Sequence, residues 1–256
     1  MATELTGAGD PARSMALLWR PEAPVARGRG PRAGLDVADV VTAAVRLADS
    51  EGISTLSMRR LAAALGVGVM TLYTYVPGKG ELVDLMYDRV LGELYREEQP
   101  AGADWRTRLE HVARENWELF VRHPWALHVA TGRPPLGPHL MAKYEQELRA
   151  VDGLGLTEVE MDLVVTLVNG FVKGTVSGMV ERSEAEHATG VTDRQWWEAT
   201  APFVEQVFDP ERFPTVARVG PVAGEELQAA YDPARSFTFG LARLLDGVAV
   251  LAEGRR

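Results

Sequence analysis

The chain of 256 residues contains no cysteine. Disulfide frameworks and thiolate metal sites are therefore excluded. No apolar run is long enough for a membrane span of about 20 residues. Met15 to Trp19 is too short for the apolar core of a signal peptide, and no cleavage site follows it. The sequence carries no P-loop, dinucleotide-binding or nucleophile-elbow pattern. Of five histidines, His123 and His128 lie five apart, which splits them across helix faces, and no third ligand accompanies them. The sequence therefore gives no catalytic residue, metal, cofactor or membrane partner. The expected compartment is cytoplasmic, and the chain is not expected to be an enzyme.

Hydrophobic and charged fractions are those of a soluble globular protein, and the length holds two modest domains or one large one. The net charge of −9 is unevenly placed. Residues 1–80 carry nine Lys/Arg and seven Asp/Glu, net +2, against eighteen and twenty-nine in residues 81–256, net −11. An acidic body behind a basic head limits non-specific contact with polyanions without discharging the head itself.

The most informative stretch is LSMRRLAAALGVGVMTLYTYVPGKGEL, residues 56–82. Ser57 is a fit N-cap for a short helix to Leu65. Leu61 and Leu65 share a face, and Ala62 is small enough for a second helix to cross closely. Gly66 supplies the left-handed turn. A second helix is expected from about Val69 to Val76, with Leu72 and Val76 inward. Its outer face and flanks hold Val69, Met70, Thr71, Tyr73 and Tyr75 and no carboxylate, as a surface meeting phosphates requires. Pro77-Gly78 ends it and Lys79 follows. Asp36 caps a scaffold helix with an apolar stripe through Val37, Val40, Val41, Ala44 and Leu47.

On these residues the segment from Leu35 to Leu94 resembles the DNA-binding domain of the tetracycline-repressor (TetR) family. The matching marks are the Gly52 turn, the LSMRRLAAALGV helix, the TLYTYV recognition helix and Lys79. The resemblance implies an all-α protein: a three-helix helix-turn-helix domain over 35–80, a connecting helix over 81–99, and a larger helical regulatory and dimerisation domain over 100–256. The DNA-facing set is then Ser57, Arg59, Val69, Met70, Thr71, Tyr73, Tyr75 and Lys79. Residues 1–34 lack periodicity and read as a flexible arm. Its Arg27, Arg29 and Arg32 are placed either in a minor groove or on phosphates, or in a solvated linker.

Beyond the head, helices are expected over Trp105–Arg122, from Leu136 or Pro138 to Val151, from Thr157 (with Glu160, a capping box) to about Ser183, over Asp193–Val207 and over Pro233–Leu251. Residues 184–192 and 210–224 read as loop or irregular. The long helix carries Gly170, Gly174 and Gly178 on one face, each costing about 1 kcal/mol relative to alanine. Such a stripe implies a close helix approach, either within one subunit or across a dimer. The family makes its homodimer from this region and the last helix, which adds Phe237, Leu241, Leu245 and Val248 to the expected interface. The helices walling the family's pocket carry Trp117, Phe120, Trp125, His128, Tyr144, Phe171 and Met179, the expected lining for an apolar or aromatic small-molecule inducer. Val112 and Ala130 fall where the namesake repressor has polar drug- and magnesium-contacting side chains, so its magnesium–tetracycline chemistry is not expected. The implied function is a homodimeric, ligand-responsive repressor on a palindromic double-stranded operator. The alternative is a ligand-independent DNA-binding regulator whose C-terminal half only dimerises or binds a protein partner.

Overall fold

The structure, a computed structural model, describes residues 4–20, 35–96, 102–227 and 232–254. Within them lie eleven α-helices and one two-stranded parallel pair. The expected all-α class is what is found.

The head is built from α2 (Val37–Glu51), α3 (Met58–Ala64) and α4 (Val69–Tyr75). Asp36 and Asp39 form a reciprocal capping box at the start of α2, satisfying two otherwise orphaned amides. The stripe of α2 buries Val40, Val41, Ala44 and Ala48 against Leu61, Leu72 and Val76, each fully enclosed. Between α3 and α4 the chain reverses at Gly66, whose φ of 68° is left-handed and disfavoured for a residue with a Cβ. The connecting helix α5 (Lys79–Leu91) is shorter than expected and ends at Gly92.

The body comprises α6 (Trp105–Arg122), α7 (Pro138–Val151), α8 (Glu158–Thr189), α9 (Asp193–Val207), α10 (Pro214–Leu227) and α11 (Pro233–Glu253). The caps read from Asp104 and from Thr157 with Glu160 are present. α8 is the central helix, packed against α6, α7 and α11. It runs one and a half turns past the expected Ser183, to Thr189, and Gly190 ends it in the left-handed conformation. α8 also has the length and composition of a membrane span, with mean hydropathy 1.5 over its most apolar window. That is a correction to the reading of no such run: the helix buries Val164, Val165, Val168, Val172 and Val176 in the body and leaves Val159, Leu163 and Leu167 exposed. Of residues 210–224, expected to be irregular, 214–224 lie in α10, with Pro221 inside it.

The largest departure lies at the N-terminal end. Residues 4–20 are not a flexible arm. Glu4–Leu5 form strand β1, which pairs in parallel with β2 (Val129–Ala130). Pro11–Leu18 form helix α1, capped by Asp10 and lying on α5. Residues 21–34, with Arg27, Arg29 and Arg32, lie outside the described residues.

Candidate nucleic-acid interface and the cavity behind it

Ser57 caps α3, its hydroxyl accepting from the Arg60 amide at 3.3 Å. α4 buries Leu72, packs Val69 and Tyr75 partly against the core, and turns its remaining side chains outward. Met70 is 78% exposed, Thr71 and Tyr73 are exposed, and Val69 and Tyr75 are half-buried. No carboxylate occurs between Glu51 and Glu81. Such a face can enter a major groove, lay methyl and thioether groups on thymine methyls, and reach phosphates through phenolic hydroxyls. Arg59 is exposed beside it, whereas Arg60 is ion-paired to Glu51 at the end of α2. Lys79 is not a free cation: its Nζ lies 2.7 Å from Glu4 Oε1 of the N-terminal segment.

Behind the head, the joint with the body is made by charged side chains. Asp49 of α2 accepts from Trp125 Nε1 and lies against His123 Nδ1, both at 2.7 Å. Glu93 lies 3.2 Å from the other His123 nitrogen. Three carboxylates of α5 are buried, and each meets donors from a distant segment. Glu81 accepts from the Asp10 amide, and Asp84 from the Gly7 amide and the Ser14 hydroxyl. Asp88 accepts from the Leu140 amide and contacts His139, at the start of α7. The sequence reading marked none of the three buried carboxylates of α5 and placed Trp125 in the ligand pocket rather than at this joint. Their only sequence signal is that the acids fall within a helix otherwise rich in apolar residues.

A cavity of about 580 Å3 opens between α5, α6, α7, α8 and the 131–136 loop. Its apolar wall includes Leu91, Phe120, Leu136, Leu140 and Val165. Its polar groups are Asn116, Lys143, Glu147, Asn169 and Lys173, with Tyr87 and Tyr144. Glu147 is almost fully buried and saturated. It accepts from Tyr95 Oη at 2.8 Å, Asn116 Nδ2 at 3.0 Å, Asn169 Nδ2 at 3.1 Å and Lys143 Nζ. Burial, with the Glu147 charge adding, pushes Tyr87 up to about 12 and holds Tyr95 well above the usual phenol range. Both phenols are therefore neutral donors at ordinary pH. Lys173 differs: its polar contact is Val129 O at 3.4 Å, and burial lowers its ammonium below the usual lysine value.

Of the expected lining, Phe120 and Tyr144 border this cavity, and Gly170, expected at the dimer, borders it too. The others do not. Trp117 and Phe171 pack on Phe237 at 4.6 and 6.0 Å between ring centres. Trp125 is buried at the head–body joint. His128 faces Glu184 at 3.5 Å, and Met179 packs against the core. Large side chains at helical spacing identified the right helices but not the face that opens. The face was marked instead by polar residues four apart in apolar surroundings: Lys143 and Glu147 on α7, Asn169 and Lys173 on α8.

The expected dimer surface needs the same kind of correction. Phe237, Leu241, Leu245 and Val248 are buried in the protomer's own core, so α11 turns that face inward, away from any second copy. Gly170 and Gly174 have open space around the position of a Cβ, so they do not mark a close helix crossing within the protomer. They continue an exposed stripe on α8 through Val159, Leu163 and Leu167.

Comparison with known proteins agrees with this geometry. A family model described as tetracyclin repressor-like, C-terminal domain, matches residues 98–252. A second, described as bacterial regulatory proteins, tetR family, matches residues 40–86. The chain is 42% identical over 259 aligned positions to the HTH-type transcriptional repressor DrrR1 of Streptomyces coeruleorubidus, covering all of this chain and 92% of that protein. In structure it is similar to apo ActR from Streptomyces coelicolor, with TM-score 0.70 and 26% identity over 88% of this chain and 100% of that one. ActR in complex with actinorhodin gives the same TM-score and identity over 86% and 99%.

Proposed function

The chain belongs to the tetracycline-repressor (TetR) family, and from that premise we propose that it is a homodimeric repressor released from a palindromic operator by a small molecule held in the cavity. The family is one of DNA-binding transcriptional regulators, not enzymes. In a symmetric pair, two copies of α4 would enter successive major grooves about 34 Å apart. Val69, Met70 and Thr71 would meet base edges, and Arg59, Tyr73, Tyr75 and Lys79 would hold phosphates or neighbouring bases, with Ser57 at the edge of the same surface.

One observation carries the ligand-responsive part of this reading. α5 leaves the recognition unit at Lys79 and presents Tyr87 and Leu91 to the cavity about two and three turns later. A molecule that favours one placement of α5 thereby favours one placement of the head. Release depends on that difference in affinity between the two states, not on tightness as such.

The cavity volume suits a ligand of a few fused rings, and the actinorhodin complex of ActR supports an oxygenated aromatic one. Glu147 is saturated and serves the wall. Among the described residues Lys173 has no carboxylate partner, so it favours a ligand bearing an acidic or strongly accepting oxygen.

The exposed stripe of α8, with Phe239 and Val250 on α11, is the proposed face for the second copy, giving the four-helix arrangement of the family. α9 and α10 bury nothing within the protomer and extend that apolar surface.

The test is to select duplexes from a random pool with the purified protein, then titrate the complex with polycyclic hydroxyquinones. Selection of a palindrome and release by at least some of these compounds is the expected result. Palindrome binding that no cavity-sized compound disturbs would favour the ligand-independent reading.

A further inference from the structure

Residues 4–20 form a strap across the junction of head and body. On the head side, it docks on the first two turns of α5. The Gly7 amide reaches Asp84 Oδ1 at 2.8 Å, the Asp10 amide reaches Glu81 Oε1 at 2.9 Å, and the Ser14 hydroxyl reaches Asp84 Oδ2 at 2.7 Å. Gly9 and Gly80 touch backbone to backbone: a Cβ on Gly80 would lie 2.5 Å from the Gly9 nitrogen. On the body side, β1 pairs with Val129 and Ala130. The Thr6 amide and hydroxyl both donate to Ala130 O, at 3.2 and 3.1 Å, and Trp19 Nε1 donates to Leu136 O at 2.8 Å. Asp84 is 1% exposed under this cover, so the dock is a built feature of α5.

Docking puts Glu4 on Lys79. A lysine held 2.7 Å from a carboxylate cannot also neutralise a phosphate, and bringing Glu4 toward the backbone of DNA adds repulsion. We propose that residues 4–20 are an autoinhibitory strap, which occupies Lys79 through Glu4 when docked and must let go of it for the head to make its full set of phosphate contacts. The proposal rests on the reading of Lys79 as a phosphate contact.

The strap is suited to letting go. Its strand has two residues, its helix eight, and its buried side chains are Thr6, Ser14 and Leu18. Elements with so little buried surface open locally at small free-energy cost. Its body-side anchor also adjoins the cavity. Thr131, Pro134 and Leu136 line the cavity, and Lys173 holds Val129 O, so cavity contents bear on the dock.

The test needs no operator, because a phosphate contact is independent of sequence. Full-length wild type, Glu4→Gln, Lys79→Ala and the double variant are titrated with a random-sequence duplex across a range of salt. Removing the Glu4 charge should tighten binding about five- to tenfold near 0.1 M salt and steepen the salt dependence by about one unit. In the double variant that gain should vanish, because it passes through Lys79. Hydrogen exchange gives an independent readout: added duplex should speed exchange at the Thr6 and Gly7 amides. Wild-type affinity and slope in Glu4→Gln, with Lys79→Ala still weakening binding, would overturn the strap alone. Lys79→Ala without effect in either background would overturn the phosphate reading of Lys79, and the strap with it. Unchanged or slower exchange at Thr6 and Gly7 on adding DNA would overturn the competition.

Discussion

Ten of the thirteen residues of α5 are buried, among them three carboxylates. α9 and α10 run fifteen and fourteen residues and bury none, although Trp196, Phe203, Val207, Val219 and Val222 lie on them. Hydrophobicity does not explain the contrast; enclosure does. The strap, α2 and α7 all close on α5, so even its acids find partners within the protomer. α9 and α10 meet no such cover. Under the proposed function, the first arrangement suits a joint that transmits movement as a rigid piece, and the second suits a surface covered by a second copy.

The largest expected effect comes from breaking the joint. Trp125→Ala removes a buried indole and its bond to Asp49, and should cost about 3–5 kcal/mol in denaturant unfolding. It should loosen the head even without ligand. If stability and ligand-free DNA affinity are untouched and only ligand response changes, Trp125 belongs to the cavity after all.

Asp88→Ala attacks the same joint from α5. The Leu140 amide at the start of α7 would lose its 2.9 Å acceptor, at a cost of about 2–3 kcal/mol. Asp88→Asn keeps an acceptor and should recover part of it. Equal losses in the two variants would mean that the negative charge of Asp88 itself, rather than its acceptor for the Leu140 amide, is what the joint needs.

On the bare side, Phe203→Asp should leave protomer stability within about 0.5 kcal/mol, while weakening self-association about tenfold or more if α9 is covered by a second copy. Sedimentation against concentration, beside melts of dilute protein, separates the two. A variant that unfolds as readily as it dissociates would show α9 packed within the protomer, and the comparison with α5 would fail.

Features with local causes were legible in the sequence. The caps at Ser57, Asp104 and Thr157 with Glu160, and the bounds of α6, need only neighbours within one turn. The strap was not legible, since Glu81 and Asp84 meet donors some seventy residues away in sequence. α10 was hidden by Pro221 and by Gly220 and Gly224, which read as breakers but sit in an exposed helix. The apolar face of α11 was read correctly as a face but assigned to the wrong partner, because burial in a core and burial in a dimer demand the same residues.

The smallest effect sharpens the comparison at the cavity, where enclosure is incomplete. Burial lowers the Lys173 ammonium below its usual 10.5, and no carboxylate among the described residues pairs with it to offset that. The folded protein therefore holds fewer protons at this site than the unfolded chain between the lowered value and 10.5. The penalty is fully present at pH 7 and fades as pH rises through that window. Lys173→Met removes it and should raise the ligand-free melting temperature by about 1–3 °C at pH 7, since the group is only half-buried. The gap between variant and wild type should close near pH 10.5, with other titrations cancelling in the difference. The same substitution should weaken response to acidic aromatic ligands more than to their neutral esters. A melting difference that stays constant with pH would trace the effect to the methionine's packing and leave Lys173 without a role for its charge.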